Sequence, residues 1–278
     1  MSIVTLSTDF QNNDFIVGAM KGQILSLNPE LNIVDIFHDF SSQNYAHIAY
    51  VCKNAFKHFP ENSIHVIMID LFRRPPTHLL ISEYKKQYFI TPDNGIITMI
   101  LNNEIEQVVK FDFKKNTHTT TDITAVVAKI INELSKGKYI RQIGKQIPEI
   151  IEMYPMLPAA GSDWIEGQII FIDNNGNAIV NITRQEFEQY GKGRKYTILF
   201  GRNERIVRIA SNYSSTSQGN ILAWFNSADH LELSMNMGGV AGLFGLQDIS
   251  LAQSKHNKIY ETVRILFEDD TQTEYKNT

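Results

Sequence analysis

The sequence is poor in cysteine, has no long apolar run and carries no excess of positive charge. Its single cysteine, Cys52, excludes an internal disulfide and any zinc site built from several cysteines. No apolar run approaches the roughly 18 residues of a membrane-spanning helix, so we expect no membrane partner. The formal net charge of −4 leaves no basic excess to displace counterions, so we expect no nucleic-acid partner.

Several motifs of familiar enzyme sites are also missing. The chain has no G-x-x-x-x-G-K-[ST] phosphate loop, no G-x-G-x-x-G after its first strand, no H-E-x-x-H and no G-x-S-x-G. We therefore expect neither a metal nor a bound cofactor. The stretch from Met1 to Asp9 has the pattern of a strand, with no charged segment before it, so we expect no secretory signal and a cytoplasmic, reducing setting.

The order of patterns along the chain predicts two domains. Strand-like and helix-like patterns alternate over the first 135 residues, which is typical of an α/β domain with a mostly parallel sheet. Residues 147–163 contain three prolines and little periodicity, and short strand patterns dominate after them. We predict an α/β domain over residues 1–146, a linker over 147–163 and a smaller β-rich domain over 164–278.

Two carboxylates are expected at one edge of the predicted sheet. Asp9 follows the first strand, and Asp70 follows Ile64 to Ile69, a run that is apolar apart from His65 and suits a strand buried on both faces. Ligands bind outside the carboxyl ends of strands in open α/β sheets. Aspartates at such positions also cap helices or line solvated loops, so position alone leaves both roles open.

Short segments spread in order along nearly the whole chain carry a resemblance to a known family. They are Ser7-Thr8-Asp9-Phe10, Val17 to Gly22, Ile33 to Ile36 with His38, Tyr88 to Gly95, Gly167 to Ile182, Asn226-Ser227, Leu231-Glu232-Leu233 and Gly238 to Ala241. Together they resemble the S-adenosylmethionine (SAM) hydroxide adenosyltransferase family, which also includes the fluorinases and chlorinases. Each segment alone is a weak signal, and their common order makes the resemblance specific.

The resemblance implies a fold, an assembly and a reaction. Members of the family look like homotrimers, with SAM held between the α/β domain of one subunit and the β-rich domain of the next. In the hydrolase branch, water or hydroxide attacks the ribose 5′ carbon and displaces methionine, which yields adenosine. SAM is then the substrate and no further cofactor is implied.

The resemblance also implies roles for particular residues. The matching positions are Asp70 as the catalytic carboxylate and Asp9, Asp173, Asn177, Asn226 and Ser227 as substrate-binding residues. Asp9 would accept charge-assisted hydrogen bonds from the ribose hydroxyls, and Asn177 offers both a donor and an acceptor to an adenine edge. Asp173 would pair with the methionine ammonium, beside Ser227. Residues 173–177 read Asp-Asn-Asn-Gly-Asn and would form a turn in any case, so turn formation and ligand binding both remain open.

The loop after Asp70 departs from the family pattern. Hydrolase members carry this aspartate in a D-P-G-V-G-T-x-R segment, whereas here the glycines are absent and Thr77 stands at the arginine position. Arg73 and Arg74 lie nearby, on a different part of the loop. The sequence leaves open whether either arginine compensates.

A second departure affects the histidine that helps to activate water in the hydrolases. It normally lies in F-H-G-R-D, but with Asp122 as the anchor, Thr119 stands at its position and His118 falls one residue early. A threonine cannot take up a proton near neutral pH as a histidine can. His118 as a shifted base and His118 as an exposed loop residue are both compatible with the sequence.

Three functions are therefore considered. The first is hydrolysis of SAM, with Asp70 and altered helper residues. The second is a non-catalytic protein that binds SAM or adenosine. It is considered because the residues at the ligand-binding positions match the family pattern more closely than those at the water-activating positions. The third is a halide-using enzyme, but the long insertion of the fluorinase branch does not fit, since only Glu83 to Gln87 separate two strands here. We rank hydrolysis first.

Overall fold

A computed structural model describes residues 2–10, 14–102, 104–201, 204–247 and 262–268. The chain divides into two compact units, Met1–Pro155 and Met156–Thr278, and the division falls inside the segment predicted as a linker. No helix among the described residues is both long enough and apolar enough to cross a membrane.

The first unit is a seven-stranded sheet covered by helices. Its strands are β1 (Ile3–Thr8), β2 (Asn32–Phe37), β3 (Ile64–Met68), β4 (His78–Tyr84), β5 (Gln87–Pro92), β6 (Gln107–Asp112) and β7 (Lys145–Gln146). Its helices are α1 (Ile16–Leu27), α2 (Tyr45–Phe56), α3 (Ile96–Leu101), α4 (Thr120–Ser135) and α5 (Ile140–Ile143). The strand order is β2-β1-β3-β5-β4-β6-β7.

The sheet of the first unit is mixed, so the expectation of a mostly parallel sheet is corrected. Strands β2, β1, β3 and β5 are parallel neighbours, whereas β4 is antiparallel to both β5 and β6, and β7 is antiparallel to β6. The cause is a two-residue hairpin between β4 and β5. Lys85 and Lys86 have φ angles of 48° and 57°, and positive φ at both central residues gives the turn whose twist matches paired strands.

Strand β3 lies at the centre of two apolar layers. Ile64, Val66 and Met68 pack into one cluster with residues of α1 and α4, while Ile67 packs into a second cluster with residues of α2 and α3. Side chains alternate between the two faces of a strand, so burial on both faces requires apolar residues at nearly every position, and His65 is the exception in β3. This packing fixes the end of β3, where Asp70 follows.

The second unit is an eight-stranded antiparallel sheet. Its strands are β8 (Ala159–Ala160), β9 (Trp164–Ile172), β10 (Ala178–Thr183), β11 (Tyr196–Phe200), β12 (Glu204–Ile206), β13 (Ile221–Phe225), β14 (His230–Met235) and β15 (Thr262–Phe267), with helices α6 (Arg184–Gly191) and α7 (Val240–Phe244) and a 3-10 turn at Tyr213–Ser215. The order is β12-β11-β15-β9-β10-β14-β13, with β8 beside β9. A bridge between Ile209, beyond β12, and Ala223 of β13 brings the two edges close to a closed barrel.

Candidate active site

Polar side chains collect at one edge of the sheet of the first unit. Asp9 directly follows β1, Asp70 lies two residues after β3, and Asp93 directly follows β5. These three strands are parallel, so their carboxyl ends share an edge. Strand β4 runs in the opposite direction, which brings its first residue, His78, to the same edge. Four side chains that can hold a charge or a proton therefore lie along one edge.

Asp9 and Asp70 are joined directly. The Oδ2 atom of Asp9 accepts a hydrogen bond from the backbone N–H of Asp70 at 2.8 Å. Burial raises the pKa of Asp9 above its usual value, and the charge of Asp70 raises it further, although the N–H of Asp70 acts in the opposite sense. Ionised Asp9 thus lies in a partly dry environment, where additional donors such as a pair of hydroxyl groups would stabilise its charge.

Asp70 is held through both its backbone and its side chain. Its φ angle is 52°, in the left-handed region that aspartate and asparagine tolerate better than most residues. Its Oδ2 accepts a hydrogen bond from the hydroxyl of Tyr45 at 3.1 Å and lies 3.7 Å from Nη1 of Arg73. Burial raises the pKa of Tyr45 to about 12, and the Asp70 charge contributes, so the phenol keeps the proton that it donates. The Asp70 carboxylate is therefore fixed in direction.

The segment that follows β5 fixes the end of β3 from its other side. The Nδ2 atom of Asn94 donates to the carbonyl of Ile69 at 2.9 Å, while its Oδ1 accepts from the N–H of Ile96 at 3.2 Å. Gly95 has a φ angle of 92°, and a Cβ there would collide with the side chain of Met153. The segment from Pro92 to Gly95 thus holds Ile69, the residue before Asp70, in place through a hydrogen bond to its carbonyl.

A cavity of about 380 Å³ opens beside Asp70. Its polar lining includes Asp70, Arg73, Arg74, Thr77, His78 and Asp93. Both arginines of the loop that follows Asp70 therefore line the same cavity as this carboxylate, although Arg73 is more than half exposed. Among the described residues, no group of three or more His, Cys, Asp or Glu side chains is arranged to hold a metal ion.

His78 is bonded on both ring nitrogens at this cavity. Its Nε2 lies 3.3 Å from Oδ2 of Asp93, and its Nδ1 lies 2.9 Å from Oγ1 of Thr77. The other oxygen of Asp93 accepts a hydrogen bond from the N–H of Ile151 at 2.8 Å. Burial raises the pKa of Asp93, but its bonds with His78 and Ile151 outweigh burial and hold the pKa below its usual value. Sequence reasoning did not single out His78, because an antiparallel β4 was not expected.

His118 and Thr119 belong to the start of α4. Oγ1 of Thr119 accepts a hydrogen bond from the N–H of Asp122, and the Asp122 carboxylate accepts from the N–H groups of His118 and Thr119. This reciprocal arrangement is a capping box, which satisfies backbone donors at a helix start. His118 is exposed, and neither residue lines the cavity beside Asp70.

In the second unit, Asp173 and Asn177 lie together in the turn between β9 and β10. Oδ1 of Asp173 accepts hydrogen bonds from the N–H groups of Asn175 and Asn177, each at 2.9 Å. Its Oδ2 accepts from Nδ2 of Asn177, also at 2.9 Å. The turn chemistry predicted from the sequence is present, and it orients both side chains relative to each other.

Asn226 and Ser227 form the turn between β13 and β14. Oδ1 of Asn226 accepts hydrogen bonds from the N–H groups of Ala228 at 3.0 Å and His230 at 3.2 Å, which closes the turn. Asn226 is buried, whereas Ser227 is exposed at the tip. Of these two residues, Ser227 presents its hydroxyl to the surroundings, while Asn226 shapes the loop that carries it.

Glu232 is a buried carboxylate surrounded by hydrogen-bond donors. Its Oε1 accepts from the hydroxyl of Tyr213 at 2.5 Å, from Nε1 of Trp224 at 3.0 Å and from Oγ of Ser234 at 2.8 Å. Its Oε2 accepts from Nδ2 of Asn226 at 3.1 Å. The side chain is only 5% exposed, so these bonds replace water around its carboxylate. Glu232 thereby connects strand β13 to the Asn226 turn.

Both units match models of a known protein family. Residues 4–144 match the SAM hydroxide adenosyltransferase N-terminal domain, and residues 167–250 match the C-terminal domain of the same name. A Methanocaldococcus jannaschii protein named (R)-S-adenosyl-L-methionine hydrolase is 30% identical over 265 residues, which cover 88% of this chain and 93% of that protein. A Thermus thermophilus protein of the same name is 22% identical, covering 89% of this chain and 97% of that protein.

Two solved structures share the fold. The crystal structure of an uncharacterized conserved protein from Thermotoga maritima aligns with a TM-score of 0.80 at 20% identity, covering 96% of this chain and all of that one. A conserved hypothetical protein from Thermus thermophilus aligns with a TM-score of 0.70 at 19% identity, again over 96% of this chain and all of the other. These similarities concern the fold alone.

Proposed function

The chain belongs to the SAM hydroxide adenosyltransferase family, and on this basis we propose that it hydrolyses SAM to adenosine and L-methionine by attack of water or hydroxide at the ribose 5′ carbon. The observation that carries the proposal is the link between Asp9 and Asp70 at the edge of a cavity. Matches to both domains of the family support it. Two relatives named as hydrolases of (R)-S-adenosyl-L-methionine support the substrate and the reaction class.

In the proposed reaction, each carboxylate has a different task. Asp9 binds the two ribose hydroxyls, which places the 5′ carbon near Asp70. Asp70 accepts a hydrogen bond from the attacking water and so directs its lone pair at that carbon. Methionine leaves as a neutral thioether, so the leaving group needs no acid. A proton must still be removed from the water, and a carboxylate alone is a weak base for this near neutral pH.

The second unit supplies the remaining contacts in this proposal. Asp173 pairs with the methionine ammonium, Asn177 contacts the adenine edge, and Ser227 adds a polar contact from its exposed turn, which Asn226 shapes. We propose a homotrimer, in which each site combines two neighbouring subunits. Multi-angle light scattering at micromolar concentration, with and without SAM, tests this assembly, and a monomer under both conditions would contradict it. A cytoplasmic location completes the proposal, and it is supported by the single, buried cysteine.

The direct test is incubation of the purified full chain with SAM, followed by chromatography for adenosine and methionine. The two sulfonium epimers are supplied separately, and we expect the (R) epimer that the relatives' names specify to be consumed. In ¹⁸O-labelled water, adenosine should gain one ¹⁸O atom at its 5′ hydroxyl, because the new bond joins the water oxygen to this carbon. Tight binding of SAM without any adenosine would favour a non-catalytic binding protein instead.

A further inference from the structure

We propose that Thr77, His78 and Asp93 form a relay that accepts the proton of the attacking water, which rests on the proposed hydrolysis of SAM. The three side chains are connected in one line, from Oγ1 of Thr77 to Nδ1 of His78 at 2.9 Å and from Nε2 of His78 to Oδ2 of Asp93 at 3.3 Å. A base oriented by a carboxylate and reached through a hydroxyl is an arrangement suited to moving one proton.

The hydrogen-bond pattern defines the tautomer of His78. An ionised Asp93 can only accept, so Nε2 of His78 carries the hydrogen that points at it. The Nδ1 atom then has a free lone pair, to which the hydroxyl of Thr77 donates. When Nδ1 takes up a proton, the imidazolium is stabilised by the adjacent Asp93 charge. The depressed pKa of Asp93 agrees with a carboxylate that stays ionised beside His78.

The relay is attached to rigid parts of the fold. His78 is the first residue of β4, between β5 and β6, and Asp93 directly follows β5. The second oxygen of Asp93 is held by the N–H of Ile151 at 2.8 Å. Thr77 is exposed and half-buried His78 lies behind it, so the threonine hydroxyl forms the outer end of the chain of bonds.

Asp70 and the relay line the same cavity. The charged groups around it are Asp70, Asp93, Arg73 and Arg74, and Asp112 lies opposite the backbone of His78 on β6. A water molecule in this cavity has Asp70 to orient it and the hydroxyl of Thr77 as a proton acceptor in the relay.

The proposed step is balanced without any further reactant. The water oxygen forms a bond to the 5′ carbon as the bond from carbon to sulfur breaks, and that electron pair remains on sulfur, which becomes neutral. One water proton moves to Oγ1 of Thr77 while the original hydroxyl proton moves to Nδ1 of His78. The other water hydrogen remains on the new 5′ hydroxyl, and the proton on His78 is later released to solvent.

This relay accounts for both departures from the family pattern. Thr77 stands where the family carries an arginine, and it is the residue that donates to His78. Thr119 stands where the family carries a histidine, but its hydroxyl is used in the cap of α4. A histidine at position 78 thus supplies a base at the cavity, although no histidine lies at the family's usual position.

The test compares four variants for adenosine release. His78→Gln should lower kcat by about 10²-fold or more, the range typical for loss of a general base, with KM little changed. Thr77→Val removes the hydroxyl from an exposed position while keeping the side-chain shape, and we expect a loss of the same order. Thr77→Ser should restore most of the rate. His58→Gln, at an exposed position just after α2, is the matched control and should retain the rate of the unmodified chain.

The pH profile separates proton transfer from a structural role. In the unmodified chain, the pH profile of kcat should have an acidic limb, because a His78 that already carries both ring protons cannot accept one from water, and this limb should be absent from His78→Gln. Adenosine formation by the unmodified chain together with normal rates for Thr77→Val and His78→Gln would overturn the relay alone. A raised KM or a lowered melting temperature with an intact kcat and acidic limb would also overturn it. No adenosine from the unmodified chain would overturn the proposed function and the relay with it.

Discussion

The carboxylate of Asp9 accepts a hydrogen bond from the backbone N–H of Asp70 at 2.8 Å. This bond connects the segments that directly follow β1 and β3. The residue proposed to bind ribose is thereby connected to the residue proposed to orient water. Any movement of Asp9 on binding a ligand reaches the Asp70 backbone directly. The two positions should therefore respond to substitution as a coupled pair.

Substitution of Asp9 should weaken the binding of SAM more than it changes the stability of the fold. Asp9→Ala removes the acceptor for two ribose hydroxyls, so we expect SAM binding to weaken by about 1.5–3 kcal/mol, the usual range for hydrogen bonds to a charged group. Asp9→Asn should also bind SAM more weakly, while its Oδ1 can still accept the bond from Asp70. Isothermal titration calorimetry measures both affinities. Unchanged affinity in both variants would remove Asp9 from the site.

The raised pKa of Asp9 also predicts how Asp9→Asn affects the stability of the fold at neutral pH. The pKa of Asp9 is raised in the folded chain, so ionisation of Asp9 costs folding free energy as pH rises through that pKa. Asparagine does not ionise and therefore avoids this cost at neutral pH. We expect Asp9→Asn to melt at the same temperature as the unmodified chain or higher at pH 7. A clearly lower melting temperature would show that the Asp9 charge stabilises the fold.

His65 should make the fold sensitive to acid. It is buried against Phe56, Phe59 and Phe89, its Nδ1 lies 2.8 Å from Oγ1 of Thr5, and burial lowers its pKa to about 3. Between about pH 6.5 and 3, the unfolded chain binds a proton at this residue that the folded chain does not. The free energy of unfolding should therefore fall by about 1.4 kcal/mol per pH unit as pH decreases through this range.

The measurement is urea denaturation at several pH values between 7 and 5. His65→Gln cannot bind this proton, so its stability should fall by about 2 kcal/mol less than that of the unmodified chain over this interval. The control variant His58→Gln replaces an exposed histidine and should follow the unmodified chain. Equal pH dependence for all three proteins would contradict the neutral, buried state of His65.

Glu232 should be important for the stability of the second unit. Glu232→Gln replaces one acceptor oxygen with an NH2 group that faces other donors, so at least one buried donor loses its partner. We expect a loss of about 1–3 kcal/mol in the free energy of unfolding, measured by denaturant titration. Glu188→Gln, at an exposed position on α6, is the matched control and should have little effect. Equal stability of the two variants would show that water satisfies these donors.

Much of the fold could be predicted from local patterns. The run from Ile64 to Ile69, apolar apart from His65, predicts a strand buried on both faces, and β3 is such a strand. The antiparallel direction of β4 was missed, although only Glu83 to Gln87 separate the two predicted strands, a connection too short for a parallel crossover. Helix α6 was also not expected, although Thr183 and Glu186 form a capping box that marks its start.

The candidate site was predictable only where it follows strand ends. Asp9 and Asp70 are placed by the rule that ligand sites lie at the carboxyl ends of strands, and the structure brings them together. Tyr45 and His78 reach this edge because one helix starts there and one strand runs backwards. The position of Tyr45 depends on how α2 packs, which no local sequence pattern shows, whereas the short connection between β4 and β5 already indicated the direction of β4.

Hydrolysis of SAM at Asp70 is tested by measuring adenosine release from SAM by the unmodified chain and by Asp70→Asn. Asparagine tolerates the φ angle of 52° at this position, so the variant removes the charge while the backbone is kept. We predict one adenosine and one methionine per SAM from the unmodified chain, a loss of about 10²-fold or more in Asp70→Asn, and a normal rate in His118→Gln. A normal rate in Asp70→Asn would show that Asp70 does not orient the water, and SAM bound by the unmodified chain without release of adenosine would show that the chain does not hydrolyse SAM.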